Sequence, residues 1–171
     1  MVKHRASRRR VKGHDKLHRL NKKYGTKRVT LKKSRIRNAG ISAFAAKPIS
    51  EGVRLGEYKG RILNEEEVVD LPHSKQCYLF EVKRKSGGNV LIDAYPMRTS
   101  NWTRFVNSIK KRHQRKKENA KYYQYAQKIW IKTTRAVGEG EELICDYGSD
   151  YWTDDEDEGV DEEDTDSEES E

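Results

Sequence analysis

"ELICDYGSDYW", residues 142–152, decides how this chain is read. Leu143-Ile144-Cys145 is a short apolar strand that runs straight into Asp146-Tyr147-Gly148. Two further aromatics, Tyr151 and Trp152, follow before the chain becomes almost wholly acidic. A phenol at a strand end, beside a glycine, sits where backbone can come close to a ligand. Alone it is an ordinary strand terminus, and its meaning depends on what the rest of the chain brings beside it.

The 171 residues suffice for one domain with tails. Only 33% are apolar and 37% are charged, so part of the chain lacks the surface to bury itself. Residues 1–37 hold sixteen Lys/Arg against a single acid, Asp15, whereas 153–171 hold thirteen Asp/Glu and no base. Like-charge blocks repel themselves, which predicts a basic disordered arm over 1–28, a folded domain over 29–152 and a disordered acidic tail over 153–171. The basic stretch 1–37 and a second one, "KKRHQRKK" (110–117), suit nucleic-acid phosphates, with binding that weakens as salt rises. The tail can cover one of these basic regions or hold a basic partner. Cys77 and Cys145 have neither metal-ligand spacing nor a disulfide framework, so no metal is expected and a reduced, intracellular compartment is. No apolar run reaches membrane-spanning length, which argues against a membrane partner.

The middle of the chain reads as short strands. "RVTLKK" (28–33), "SAFAAKPI" (42–49) and "VRLGEYKG" (53–60) come first. "CYLFEV" (77–82) and "VLIDA" (90–94) flank "KRKSGGN", which has the composition of a hairpin turn. "IWIKTT" (129–134) and "ELICDY" (142–147) close the domain around the turn Gly138-Glu139-Gly140. Asn64 with acids behind it predicts a helical turn over 65–70, and Ser100 is a candidate cap for a short helix through Val106. Many short strands with glycine-rich turns predict a mainly β fold.

Three segments carry the resemblance to a known family. They are "NAGISAFAAKPISEGVRLGEYKGRIL" (38–63), "DAYPMRTSNWTRFVNSI" (93–109) and "GEELICDYGSDYW" (140–152). In this order they resemble the SET-domain protein lysine methyltransferases over about residues 29–152. Gly40-Ile41-Ser42 stands where the family has Gly-x-Gly. Ile49, Gly52 and Glu57-Tyr58-x-Gly60 follow the family's second motif. Arg104-Phe105-Val106-Asn107 matches its third, with Ser108-Ile109 in place of His-Ser, and Glu141-Glu142-Leu143 with Asp146-Tyr147-Gly148 matches its fourth. Asn101-Trp102 before the arginine, together with the missing histidine, is similar to the PR-domain branch. Ile131 stands where that branch can have a tyrosine.

The resemblance implies a β-clip-like SET fold with a threaded C-terminal segment passing near Asn107. It implies S-adenosylmethionine as cofactor and a target lysine, on a histone tail or another basic protein, entering from the opposite face. A nuclear or chromatin-associated location goes with it. Expected cofactor contacts are Gly40, Ile41, Ser42, Arg104, Phe105, Asn107, Ser108, Tyr147 and Trp152. Expected catalytic residues are Tyr147, Tyr58 and Tyr78, and Tyr58, Tyr78, Cys145 and Tyr151 are expected along the lysine channel.

The chemistry agrees with these residue types. Methyl transfer to an amine needs alignment, loss of the ammonium proton and a dry path, but no strong base. Tyr147's hydroxyl is expected to orient the amine. Several of these residues also fit plainer uses: the Gly40 turn as a simple β-turn, Asn107 as a structural cap, Tyr58 and Tyr78 as packing, and Tyr151 and Trp152 as a plug on the sheet edge. Cys145, smaller than the aromatic residues of relatives, leaves room for an already methylated amine, so di- or trimethylation is expected. The competing reading is a PR-like adaptor on chromatin or DNA with little or no activity.

Overall fold

The computed structural model describes residues 3–69, 71–85, 87–109 and 117–147. Gly148, Tyr151, Trp152, residues 110–116 and the acidic tail, for all of which the sequence carries expectations, lie outside the described residues. Among the described residues ten short strands dominate, in three sheets. Strands β1 (Val29–Lys33) and β2 (Ile41–Ala45) form an antiparallel pair. Strands β4 (Arg61–Leu63), β5 (Leu79–Lys83) and β6 (Asn89–Asp93) form a second sheet, ordered β4-β6-β5. The third is ordered β3-β9-β8-β10-β7, from β3 (Arg54–Glu57), β7 (Asn107–Ser108), β8 (Ala120–Tyr125), β9 (Lys128–Thr133) and β10 (Ile144–Cys145).

The period-2 pattern decides most of this. In β9, Ile129, Ile131 and Thr133 are buried while Lys128, Trp130 and Lys132 alternate with them. The β5–β6 hairpin turns at Gly87 and Gly88, both at positive φ, as the "KRKSGGN" composition predicts. Helix α2 (Glu65–Val69) starts at a reciprocal cap in which Glu67 N–H donates to Asn64 Oδ1 and Asn64 N–H to Glu67 Oε2. A second short helix, α3 (His73–Gln76), leads into β5. A 3₁₀ helix spans Trp102–Phe105, capped by the side chain of Asn101 rather than by the expected Ser100. Asn101 Oδ1 reaches the Thr103 N–H and hydroxyl, while its Nδ2 donates to Glu57 O at 2.8 Å.

The arm differs from expectation. Residues Lys3–Tyr24 form helix α1, and its last turns belong to the domain. Leu17, Leu20 and Tyr24 recur at helical spacing and meet the main core with Val29, Leu31, Val106 and Leu143. Asn21 then binds β1 as a strand neighbour would: Nδ2 donates to Leu31 O at 2.8 Å, and Oδ1 accepts from Leu31 N at 2.7 Å. The folded unit therefore starts before residue 29. The surrounding lysines and arginines hide a narrow apolar stripe in the sequence.

The C-terminal segment is fixed from both sides. Strand β10 runs parallel to β7 and β8 and lies between them. Asn119, with no exposed surface, accepts from Ile144 N at Oδ1 (2.9 Å) and donates from Nδ2 to Glu142 O (2.7 Å). The Glu142 carboxylate, 3% exposed, accepts from the Ser34 hydroxyl (2.6 Å) and the Arg35 N–H (2.8 Å), tying the β1–β2 loop to the same segment. Gly60 is needed for closeness rather than for torsion. A Cβ there would lie 2.2 Å from Asp93 O.

Candidate active site

Where β10 ends, Asp146 and Tyr147 turn toward a cavity of about 300 Å³ between the five-stranded sheet and β5. Its walls include Tyr58, Tyr78, Arg104, Asn107, Ser108 and Tyr147, six of the residues expected from sequence. Three of them descend from the 3₁₀ helix and β7, and Tyr147 from the strand inserted beside β7. The convergence is a product of strand order, because Asn107 and Tyr147 are brought together by the parallel β7–β10 pairing.

The phenols share one arrangement. Tyr147 donates its hydroxyl proton to Val106 O. Tyr58 donates to Tyr78 O at 2.9 Å, and Tyr122 to Thr103 O at 2.8 Å. Each proton is committed to a backbone carbonyl, so what these hydroxyls have left to offer is acceptor capacity. Burial pushes the Tyr58 and Tyr122 phenols above their ordinary range, so they stay neutral and do not serve as bases. Tyr147 N–H donates to Ser108 Oγ at 3.3 Å, so the serine that stands in the family's His-Ser position holds the tyrosine's backbone. Arg104 donates from Nε to Ala94 O at 2.8 Å, and its guanidinium lies 4.5 Å from the Tyr78 ring centre, which fixes that wall.

Asn107 contributes a different feature. Its Nδ2 is buried at the cavity wall with no hydrogen-bond partner, a donor whose desolvation is uncompensated by the protein.

Other expected residues sit elsewhere. Gly40, Ile41 and Ser42 do not line the cavity, although Ala39 beside them does. Gly40 is at φ 74°, so the loop does need glycine there. Ser42 is fully buried in β2, and its Oγ has no hydrogen-bond partner. Phe105 packs edge-on against Tyr24, with ring centres 5.5 Å apart, in the main core. Cys145 also needs correction. It is 0% exposed in that core and absent from the cavity wall, and burial pushes its thiol up. Strand β10 ends at Cys145, and Tyr147 reaches the cavity from the segment beyond the strand.

The sequence reading missed Tyr122, Phe80 and Thr103, which also line the cavity. Tyr122 faces Ile131 across the β8–β9 ladder, so the phenol that position 131 lacks is supplied by the neighbouring strand. The signal was present in "AKYYQY", whose alternation marks a strand, but the basic insert before it obscured the pattern.

With this geometry in place, known proteins fall into line. Histone-lysine N-methyltransferase PRDM7 of Homo sapiens is 26% identical over 125 residues, covering 69% of this chain and 23% of that protein. Histone-lysine N-methyltransferase set-17 of Caenorhabditis elegans is 29% identical over 122 residues, covering 71% of this chain and 41% of its own. This chain thus spans less than half the length of either relative. The methyltransferase domain of human PR domain-containing protein 2 superposes with a TM-score of 0.58 at 27% identity, covering 70% of this chain and 76% of that one. The Polycomb repressive complex 2 of Chaetomium thermophilum, autoinhibited and bound to S-adenosylmethionine, gives 0.58 at 27% identity over 72% of this chain and 16% of that one. The family profile described as "PR domain zinc finger protein 2, PR domain" matches residues 29–156, so the chain belongs to the PR-domain family, a branch of the SET fold.

Proposed function

We propose that the chain is an S-adenosylmethionine-dependent protein lysine methyltransferase acting on a lysine of a histone tail. One observation carries this reading: Tyr147, Asn107 and Tyr58, distant in sequence, line a single cavity in which the phenol protons are tied to carbonyls. The residues fit the cofactor. Asn107 offers a buried, unused amide donor for an acceptor group of a ligand, and Arg104, Ser108 and the Ala39 backbone lie around the same space. When bound, the cofactor supplies an electrophilic methyl group on a sulfonium.

The chain's own residues do the rest by placement. Enclosure by Tyr58, Tyr78, Phe80 and Tyr122 removes water, which favours the neutral amine over the ammonium of a target lysine. The acceptor oxygens of Tyr147, Tyr58 and Tyr122 point the amine's N–H bonds and steady its lone pair along one line. No general base is required of the protein, in keeping with the neutral phenols. The expectation of di- or trimethylation rests on Cys145 beside the amine, and Cys145 lies in the core and does not line this cavity, so mass spectrometry of the product decides the number of methyl groups added. Contact of residues 1–37 with nucleic acid rests on their charge. The adaptor reading rests on Ser108-Ile109 in place of His-Ser, on Ser42 and on Ile131, and of these Ser108 accepts from the Tyr147 N–H.

The test is incubation of the full chain with labelled S-adenosylmethionine and nucleosomes, beside Tyr147→Phe. Label on histone lysine in the parent, sharply reduced in the variant, supports the enzyme. A parent that binds the cofactor but transfers no methyl group to any histone or nucleosome favours the adaptor.

A further inference from the structure

The five-stranded sheet has a second face. On β8 and β9, the residues that alternate with the cavity and core side are Lys121, Tyr123 and Tyr125, opposite Lys132, Trp130 and Lys128. Arg54 of β3 pairs with Lys132 and extends across this face. Its guanidinium lies 4.6 Å from the Trp130 ring centre, 5.2 Å from that of Tyr125 and 5.8 Å from that of Tyr123, and its Nε donates to the Tyr123 hydroxyl at 2.7 Å. Lys132 stands 5.2 Å from the Tyr123 ring. Four cations and three aromatic rings thus interleave on one surface. The single nearby acid of that pattern, Glu57, is engaged by Lys128 at 3.2 Å.

We infer that this outer face, centred on Arg54, Tyr125 and Trp130, binds single-stranded nucleic acid. Three observations select that occupant. The charge is strongly positive, which repels a cationic peptide or a methylated ammonium even though three rings around a cation would otherwise suit one. The rings lie on a sheet, where unpaired bases can stack on them and on the guanidinium plane; the bases of a duplex are already stacked on each other. Tyr125 is 62% exposed, so most of its ring stays open beside Arg54. Lys121, Lys128 and Lys132 would neutralise phosphates, while stacking on the rings is indifferent to base identity. The residues of this face are other than those of the basic stretches 1–37 and 110–117, and the inference does not depend on methyl transfer.

The experiment uses the full chain and a fluorescent single-stranded oligo(dT) of roughly 12 nucleotides, with a duplex of the same length as control. Arg54→Ala and Tyr125→Ala each weaken single-strand binding about fivefold or more, whereas Tyr125→Phe keeps it and duplex binding changes less than twofold. Circular dichroism confirms that each variant is folded, and the Phe variant reports ring loss apart from hydroxyl loss. Single-strand affinity unchanged in both alanine variants would overturn the inference, as would equal losses for single strand and duplex. Crosslinks joining Lys121 or Lys132 to residues 153–171, with the oligonucleotide excluded, would also overturn it by assigning the face to the chain's own acidic end.

Discussion

The Tyr147 hydroxyl donates to the backbone carbonyl of Val106, forty-one residues earlier in the chain. That bond crosses from the inserted strand β10 to the start of β7, and it fixes the phenol oxygen at the cavity wall. Removing the hydroxyl should separate chemistry from folding. Tyr147→Phe is expected to lower methyl transfer about a hundredfold through lost alignment. Its stability should fall by only about 1 kcal/mol, the net worth of one hydrogen bond. Single-turnover transfer assays and urea melts of the same samples check both halves.

Asn119 is the polar centre of the closure. Its amide satisfies the Ile144 N–H and the Glu142 carbonyl, and its own N–H donates to Ile144 O at 3.1 Å. Asn119→Ala leaves buried groups without partners, each costing about 1–3 kcal/mol. The expected loss is about 3 kcal/mol or more in chemical denaturation, large for a domain with so small a core. A loss below about 1 kcal/mol would mean that the segment is held mainly by its apolar residues.

Gly60→Ala should destabilise although no special torsion is involved. The added methyl meets the Asp93 carbonyl and the Ala94 N–H, both backbone, so neither can rotate away. Relief requires β4 to move from β6, at about 1–3 kcal/mol. Thermal melts of Gly60→Ala beside Gly87→Ala separate the two uses of glycine, because a Cβ at Gly87 meets nothing but sits at φ 85°.

Acid should loosen the C-terminal closure through Glu141. Burial alone would raise its carboxyl, but hydrogen bonds from Arg135, the Gly138 N–H and Asn119 outweigh it and hold the group below the usual carboxylate range. A lowered folded-state value adds stability above the unfolded carboxylate value of about 4.3, and that increment disappears as pH falls through the folded value. Glu141→Gln should therefore be less stable than the parent at neutral pH, with the gap closing in acid. Melting temperatures across pH 3–7 would show this, and parallel curves would contradict it.

At the alkaline end, Tyr58 and Tyr122 should titrate late. Burial raises both phenols, so the neutral form they favour in the folded state adds stability that is fully present below the unfolded value of about 10 and is lost as pH rises through the folded values. Ultraviolet titration should show a group of tyrosines that ionise only as the fold opens. Tyr58→Phe and Tyr122→Phe should each remove one phenol from that late group.

The sequence exposes the strands and most of the cavity wall because both follow from local pattern. Alternation marks β1, β5, β6 and β9, and the motifs around Tyr58, Asn107 and Tyr147 meet in space. The place of Cys145 is not legible locally: a strand would put residues 145 and 147 on one face, but β10 ends at Cys145, which packs into the core while Tyr147 lies beyond the strand. Tyr122 went unread because its importance depends on which strand lies next to it, and no local feature states that. The docking of Leu17, Leu20 and Tyr24 was hidden by charge, since a stripe three residues wide leaves the composition of its helix almost unchanged. The outer aromatic face of β8 and β9 shares this limit: Arg54 reaches Tyr123 from 69 residues away.

The order in which strands pair also governs when this protein can exist during its own synthesis. Among the described residues, β7 has only β10 as a strand partner, so the wall bearing Asn107 and Ser108 stays open until Ile144 and Cys145 have left the ribosome. Such late, long-range closure is slow, and it exposes unpaired edges in the growing polypeptide. A message interrupted before codon 144 would yield a chain whose β7 has no strand partner and whose cavity lacks the Tyr147 wall.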